Sequence, residues 1–195
     1  MRIAPVTLAA AVLVLGACAP AGVSTVGERF PLYKTAHNAY ALNNRDVFVI
    51  VQGGGYGMDQ AAFRQTVLDG MQRSRGGMNT RFTATPRTNY NSDYKVVMLF
   101  NGPISAQPDD LCRQPEQFAA LTPKPPVNET HVLAAFCRFD APLTGVNGTA
   151  TGVTSPSDPR FASLLRATMT DLFPSVDDRP MRDSDSGNGG GGDIP

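Results

Sequence analysis

The chain has no tryptophan, only three cysteines and only two histidines among its 195 residues. It has no excess charge of either sign, since 17 lysines and arginines balance 17 aspartates and glutamates. General nucleic-acid-binding proteins carry a basic excess for the phosphate backbone, so we expect no nucleic-acid partner. No apolar run reaches the ~18 residues that a membrane-spanning helix needs, so we do not expect a channel or a transporter.

Motifs of several enzyme classes are missing as well. There is no Cys-x-x-Cys pair for a thioredoxin-like oxidoreductase and no Gly-x-Ser-x-Gly turn for a serine hydrolase. Cys112, Cys137, His37 and His131 lack the close-paired spacing of a structural zinc site. His131 and Cys137 lie on one predicted strand but about 20 Å apart, too far for a catalytic pair. We therefore assign no catalytic residue, no metal and no cofactor, and expect a protein that is not an enzyme.

The remaining composition is typical of a globular protein. Hydrophobic residues make up 42% of the chain and charged residues 17%, which is enough apolar material for a core. The length favours about one domain. The 19 glycines and 16 prolines predict many loops.

The amino terminus has the pattern of a secretory signal peptide. Arg2 precedes an apolar stretch at residues 3–15, and small residues follow it. As a helix this stretch would be about 20 Å long, too short to cross the hydrocarbon core of a bilayer. Its end, Leu15-Gly16-Ala17-Cys18, resembles the lipobox of bacterial lipoproteins.

The lipobox resemblance implies an anchor and a location. In that family the chain is cut before the cysteine, here Cys18, whose sulfur carries a diacylglycerol and whose new amine is acylated, for example with palmitate. Several acyl chains anchor a protein stably, because each buried methylene contributes about 0.8 kcal/mol. Ala19 stands where many Gram-negative lipoproteins of the inner membrane have Asp. The resemblance therefore favours the periplasmic face of the outer membrane over the inner membrane.

Composition divides the chain into four segments. Residues 1–17 are the predicted signal peptide, and residues 18–44 are the lipidated cysteine with a linker or amino-terminal extension. Residues 45–174 carry the hydrophobic patterns of an α+β domain. Residues 175–195 form an Asp- and Gly-rich tail, which we predict to be disordered because it cannot bury enough apolar surface.

Hydrophobic periodicity predicts the elements of the domain. Strands are predicted at residues 45–52, 81–85, 94–100 and 130–139, followed by a turn and short strand at 143–153. Amphipathic helices are predicted after Asp59 and after Asp158-Pro159, and a short helix at residues 115–121. This order predicts an α+β two-layer sandwich, with a mostly antiparallel sheet of about five strands and two amphipathic helices packed on one face. Residues 28–44 and 108–126 are the candidates to cover the other face.

This layout resembles small bacterial envelope lipoproteins of unknown function. The shared pattern is a lipobox, a linker, strand–helix–strand, a late hairpin and a last amphipathic helix that ends in Phe-Pro, here Phe173-Pro174. The long cysteine-bearing connection departs from the short one of that family. The resemblance supplies no catalytic residues and implies an accessory role in envelope maintenance or assembly.

The two cysteines outside the lipobox are candidates for a disulfide. Export would place Cys112 and Cys137 in an oxidising compartment, where pairing is the simplest outcome. A bridge between positions this far apart in sequence would stabilise the fold by about 3 kcal/mol on the chain-entropy model. It would tie the segment 108–126 to the strand that contains Cys137. Two buried free thiols are the alternative.

A glycine-rich loop between the first predicted strand and helix is the possible ligand site. Backbone N–H groups at a helix start bind anions. However, Met58-Asp59-Gln60 stands where a P-loop needs Gly-Lys-Ser/Thr, and Asp59 would repel phosphate. A tight turn that allows close packing is therefore the main interpretation, and ligand binding the alternative. The possible ligand loop comprises Gly53, Gly54, Gly55, Tyr56, Gly57 and Asp59.

These observations favour one function and leave one alternative. We predict a lipid-anchored periplasmic lipoprotein that acts as a non-enzymatic envelope accessory or interaction domain, with the membrane and an envelope protein as partners. Arg73, Arg75, Arg81 and Arg87 are either a basic patch for an acidic partner or a solvated helix end. The alternative function is a small-ligand-binding protein or an unrecognised hydrolase that uses the glycine-rich loop, which a deep pocket near Gly57 would favour.

Overall fold

The computed structural model describes residues 22–74, 79–87, 89–120 and 128–175. The predicted signal peptide, Cys18 and the predicted tail after Ser175 lie outside these residues. The described part contains a six-stranded sheet of order β1-β6-β5-β4-β2-β3. Its strands are β1 (Val23–Arg29), β2 (Asp46–Gly53), β3 (Arg81–Thr83), β4 (Tyr94–Phe100), β5 (Glu129–Arg138) and β6 (Ala141–Thr151).

The helices of the described residues lie on both faces and at one end of this sheet. They are α1 (Thr35–Leu42), α2 (Gln60–Arg73), α3 (Pro108–Arg113) and α4 (Pro159–Leu172), with a 3-10 helix at Pro115–Phe118. None of the helices within the described ranges is long and apolar enough to cross a membrane.

The predicted α+β class is confirmed, with differences in detail. Strands β4, β5, β6 and β1 pair antiparallel in succession, as expected for a meander and a hairpin. In contrast, β2 is parallel to both β3 and β4, so the sheet is mixed. The reason is the crossover α2, which carries the chain back to the end of the sheet from which β2 started.

Helices α2 and α4 form the layer on one face, as predicted. Asp59 and Asp158 cap them, and proline occupies the first position of α4, so both starts follow the sequence signals. The two helices approach closely at Gly70, where an added Cβ would lie 2.3 Å from Leu165 Cδ1. Their apolar stripes are buried against the sheet: Phe63, Val67 and Met71 of α2, and Phe161, Leu164, Leu165, Met169 and Leu172 of α4.

The connection after β4 covers the opposite face, as one of the two candidates predicted. Leu111, Cys112 and Phe118 pack there against Val97 and Leu99 of β4 and against residues of β5. The predicted disulfide between Cys112 and Cys137 is present, with their Cα atoms 5.6 Å apart. The helix predicted at 115–121 is a 3-10 helix at Pro115–Phe118, and α3 before it was not predicted.

The amino-terminal extension belongs to the fold from Val23 onward. Strand β1 pairs with β6 over its whole length, and the Tyr33 hydroxyl donates a hydrogen bond to the Pro174 carbonyl at 2.8 Å. The domain boundary at residue 45 was therefore placed too late. As an edge strand in contact with α4, β1 is mostly exposed and lacks a long apolar run.

The prediction of a turn and a short strand at 143–153 is wrong in its turn, because residues 141–151 form the single strand β6, in which Asn147 and Gly148 pair with β5 and β1. Glycine is needed there for packing rather than for a turn. A Cβ at Gly148 would lie 2.9 Å from Leu164 and 3.0 Å from Val132.

The strands of the sheet run between two ends. At the end that we call the glycine end, β1 begins and β2 and β4 finish at Gly53 and Phe100. At the opposite end, called the hairpin end, β2 and β4 begin and the β5–β6 hairpin turns through Phe139 and Asp140.

Candidate functional site

The glycine-rich loop at the glycine end is a packing device. All five residues from 53 to 57 have positive φ, between 60° and 137°, a region that favours glycine. A Cβ at Gly53 would lie 1.9 Å from the Phe100 carbonyl oxygen, and one at Gly54 would lie 2.7 Å from Phe63 Cδ1. These glycines let the chain turn directly beside β4 and α2.

The helix start that follows the loop is already occupied by a carboxylate of the protein. One Asp59 oxygen accepts hydrogen bonds from the N–H groups of Ala61 at 2.8 Å and Ala62 at 3.1 Å. These are the groups that would hold a bound anion. Asp59 therefore acts as an N-cap, and its charge opposes phosphate at this position.

Tyr56 is also committed to the core. Its ring packs near Phe63 and Phe161, with centroids 6.2 and 6.0 Å away, and its hydroxyl contacts Thr130 Oγ1. Burial raises the pKa of Tyr56, which keeps the phenol neutral. The structure thus brings the six predicted loop residues together. Four surface cavities of the described residues are lined by other side chains, so these four cavities do not lie at the loop.

The residues weighed for a zinc site are not brought together. His131 lies at the glycine end, where its Nε2 is 3.0 Å from a Glu129 oxygen. His37 lies at the hairpin end, and the two cysteines are bonded to each other. In the described ranges, no three His, Cys, Asp or Glu side chains are grouped as a metal site would require.

The predicted arginine patch is partly neutralised. Arg81 Nε lies 3.7 Å from the buried Asp46 carboxylate, which also accepts a hydrogen bond from the Arg87 N–H at 3.1 Å. Arg75 lies outside the described residues. These groups border a groove of about 640 Å³ between α2 and β3.

A second groove, of about 720 Å³, lies at the glycine end on the face opposite α2 and α4. Its lining is more apolar and includes the exposed side chains of Val26 and Ile104. The His131–Glu129 pair lies at its polar side.

Positive charge collects in a cavity at the hairpin end, which we call the hairpin cavity. It has a volume of about 580 Å³. Lys34, Arg113 and Arg138 contribute three cations, and Asp140 contributes one carboxylate. Its other lining residues are Leu32, His37, Phe139, Ala141 and Leu143.

Two hydrogen bonds fix the orientation of the His37 ring at the wall of the hairpin cavity. Its Nε2 lies 3.1 Å from the Leu32 carbonyl oxygen, which only accepts, so Nε2 carries the proton and donates. Nδ1 lies within hydrogen-bond distance of the Tyr94 hydroxyl, at 2.9 Å. Burial raises the pKa of Tyr94, while the neighbouring positive charge of Arg138 acts in the opposite direction.

The basic residues of this cavity are not among the sites predicted from the sequence. One signal was present in the chain: Arg113 follows Cys112, and Arg138 follows Cys137. A disulfide between the cysteines necessarily brings the two arginines' backbones near each other. That consequence could have been drawn from the predicted pairing.

Comparison with known proteins gives structural neighbours but no family. No family model matches the chain, and no curated protein matches it. A solved PelC dodecamer from Paraburkholderia phytofirmans is 14% identical, with a TM-score of 0.41 over 77% of this chain and 96% of that chain. A point variant of that dodecamer is 13% identical, with a TM-score of 0.40 and the same coverage. Likeness at this level assigns neither family nor function.

Proposed function

We propose that the chain is a lipid-anchored lipoprotein on the periplasmic face of the outer membrane, whose folded domain is a non-enzymatic interaction module. The observation that supports this is the lipobox pattern at Leu15-Gly16-Ala17-Cys18, which lies close in sequence to the fold. Only residues 19–22 separate Cys18 from β1. Even fully extended, these residues span no more than about 20 Å.

A tether of this length gives the domain a fixed polarity. Strand β1 begins at the glycine end, so that end stays beside the bilayer surface. Because a strand rises about 3.3 Å per residue, the seven residues of β1 carry the chain some 20 Å away from it. The hairpin end and its cavity then face the periplasm, where a partner or solute reaches them.

Two of the carboxylates in the described domain serve the fold. Asp158 caps α4 and accepts hydrogen bonds from the Arg160 guanidinium, which also donates to the carbonyls of Thr151 and Gly152. Asp59 caps α2 in the same way. These charged groups hold elements in place and are not arranged as a nucleophile with a base.

The anchor is tested by mass spectrometry and membrane fractionation of cells that express Cys18→Ser. We expect the variant to lose the acyl mass and to leave the membrane fraction, because no other attachment is proposed. A Cys112→Ala/Cys137→Ala variant is the matched control and should keep both. An acylated, membrane-bound Cys18→Ser protein would refute the anchor.

The interaction role is tested by photo-crosslinking in intact cells. Photoreactive residues are placed at Ile104 and Tyr40, which are 97% and 64% exposed and lie at the glycine end and the hairpin end. We expect a defined protein adduct at one of these ends and not at a third exposed position, Arg166 of α4. No adduct at either end would contradict the interaction role while leaving the anchor unaffected.

A further inference from the structure

We propose that the hairpin cavity is a binding site for a small anionic solute, namely a carboxylate or phosphate carried on a ring of sugar size. This site is distinct from the glycine-rich loop and does not depend on the lipid anchor. Three independent features of the cavity lead to it: uncommitted cations, a disulfide that fixes two of them, and a strained aromatic residue at its rim.

The cations of the cavity have no acidic partner of their own. Lys34, Arg113 and Arg138 make no hydrogen bond or ion pair with another side chain of the described residues. The carboxylate in the lining, Asp140, lies 3.5 Å from Lys95 Nζ and is directed to that cation. The cavity therefore presents a net positive charge, and guanidinium groups bind carboxylates and phosphates through paired hydrogen bonds.

The disulfide holds the backbone beside two of these cations in place. Cys112 and Cys137 are fully buried, and each is followed directly by an arginine of the cavity. The bond joins the end of α3 to the end of β5 with 5.6 Å between the Cα atoms. Arg113 and Arg138 thus start from a rigid base, and an anion that binds both has less conformational entropy to remove.

Phe139 occupies a position that stability alone would give to glycine. It is the first residue of the two-residue turn between β5 and β6, with φ at 52°, and such turns prefer Gly, Asn or Asp at positive φ. Its side chain is nevertheless 57% exposed, with the Arg138 guanidinium 5.5 Å from the ring centre. Backbone strain that exposes an aromatic face indicates a binding role.

The size and walls of the cavity define the class of solute. A volume of about 580 Å³ is in the range of small-molecule sites. Leu32, 62% exposed, and Phe139 supply apolar surface for the flat face of a ring, while the cations supply the contacts for its charged group. A bare inorganic ion would use only the second of these features.

The binding test uses the full chain in non-ionic detergent, titrated by calorimetry with glucuronate, glucose 6-phosphate, inorganic phosphate and glucose. We expect at least one of the two charged sugars to bind and glucose not to bind. Which of them binds distinguishes a carboxylate source from a phosphate source. The proposal is overturned if neither binds, and its ring component is overturned if inorganic phosphate binds as tightly as glucose 6-phosphate.

Variants assign the binding to this cavity. Arg138→Ala and Arg113→Ala should each weaken the charged sugar about tenfold or more, because each removes a charged hydrogen-bonding group. Arg166→Ala, an exposed arginine on α4 away from the cavity, is the matched control and should change nothing. If all three variants bound the charged sugar as tightly as the wild type, the binding site would lie elsewhere.

Phe139→Gly separates binding from folding. We expect it to raise the melting temperature or leave it unchanged, since glycine relieves the positive φ, and to weaken the charged sugar severalfold. Unchanged affinity would remove Phe139 from the site. A lower melting temperature would show that the exposed ring stabilises the fold, and would remove the argument from strain.

Discussion

The glycine end and the hairpin end of the sheet use their unusual residues in opposite ways. At the glycine end, Gly53, Tyr56 and Asp59 all serve the fold: the glycine fits against a carbonyl, the tyrosine fills the core and the aspartate caps α2. At the hairpin end, Arg138 and Phe139 are exposed, and the backbone of Phe139 is strained. At the glycine end these residues hold the fold together, whereas at the hairpin end charged and aromatic side chains are open to a partner.

The difference follows from what each end must satisfy. The glycine end joins the buried strand β2 to the amphipathic helix α2, and the backbone and side chains of the joining loop find partners inside the fold. The hairpin end is the tip of two strands in solvent, where water satisfies the cations at little cost. Side chains there are not constrained by packing in the core and can therefore serve binding. Substitutions at the glycine end should mainly lower stability, and substitutions at the hairpin end should mainly lower affinity.

Gly53→Ala should lower the free energy of unfolding more than the other substitutions. It imposes a positive φ of 70° on alanine and places a methyl group 1.9 Å from the Phe100 oxygen, so we expect the free energy of unfolding to fall by about 2–5 kcal/mol. Gly57→Ala is the matched control, because its φ of 69° is nearly the same but its Cβ would meet nothing within 4 Å. It should cost only about 1–2 kcal/mol. Equal losses in urea denaturation would mean that contact with β4 is not what requires Gly53.

Loss of the disulfide should have the next largest effect on stability. Cys112→Ala/Cys137→Ala is expected to lower the free energy of unfolding by about 3 kcal/mol, since a cross-link over 25 positions restricts the unfolded chain. A reducing agent should bring the wild-type unfolding midpoint to that of the double variant and leave the double variant unchanged. An unchanged wild-type midpoint under reduction would show that the bond adds no stability.

The same double variant connects the disulfide to the hairpin end. If the bond fixes Arg113 and Arg138, affinity for the charged sugar should fall even under conditions where the variant is fully folded. Gly57→Ala, destabilised at the other end, should bind as the wild type does. This pair distinguishes loss of local order in the cavity from a general loss of stability.

Hydrophobic patterns predicted the sheet and the two main helices because the relevant residues are buried on one side of each element. The caps at Asp59 and Asp158 and the disulfide were also readable, since each depends on local sequence or on counting. Strand β1 was missed because it is an exposed edge strand, and the parallel pairing of β2 because register depends on the whole sheet. The hairpin cavity joins residues from α1, α3 and β5, which no single stretch of sequence brings together.

A smaller effect is expected at the cap of α2. Asp59→Ala removes two hydrogen bonds to the helix start and should cost about 1 kcal/mol. Asp59→Asn is the matched control, because asparagine caps equally well without the charge. If the glycine end were an anion site held closed by Asp59, phosphate would raise the melting temperature of Asp59→Asn. We expect no such shift, in contrast to the hairpin end.

The smallest effects concern one tyrosine at each end. Burial raises the pKa of both Tyr56 and Tyr94, so the unfolded chain loses these protons at lower pH than the folded chain. The stability that they contribute is complete below about pH 10, the pKa of an unfolded tyrosine, and is lost as the pH rises through the folded pKa. Tyr56→Phe should therefore reduce the alkaline loss of stability, as measured by urea denaturation at several pH values.

The pKa of Tyr94 depends on the positive charge of Arg138 in the hairpin cavity. Burial raises the pKa of Tyr94, Arg138 lowers it, and Asp93 and Tyr40 raise it. Removing the cation in Arg138→Ala should therefore raise the pKa of Tyr94 further, as followed by phenolate absorbance and assigned by comparison with Tyr94→Phe. The pKa of Tyr56, at the far end of the sheet, should not change. A pKa shift at both tyrosines in Arg138→Ala would indicate a general change in the fold. In the wild type, a bound anionic sugar should raise the pKa of Tyr94 alone, because it neutralises the same positive charge.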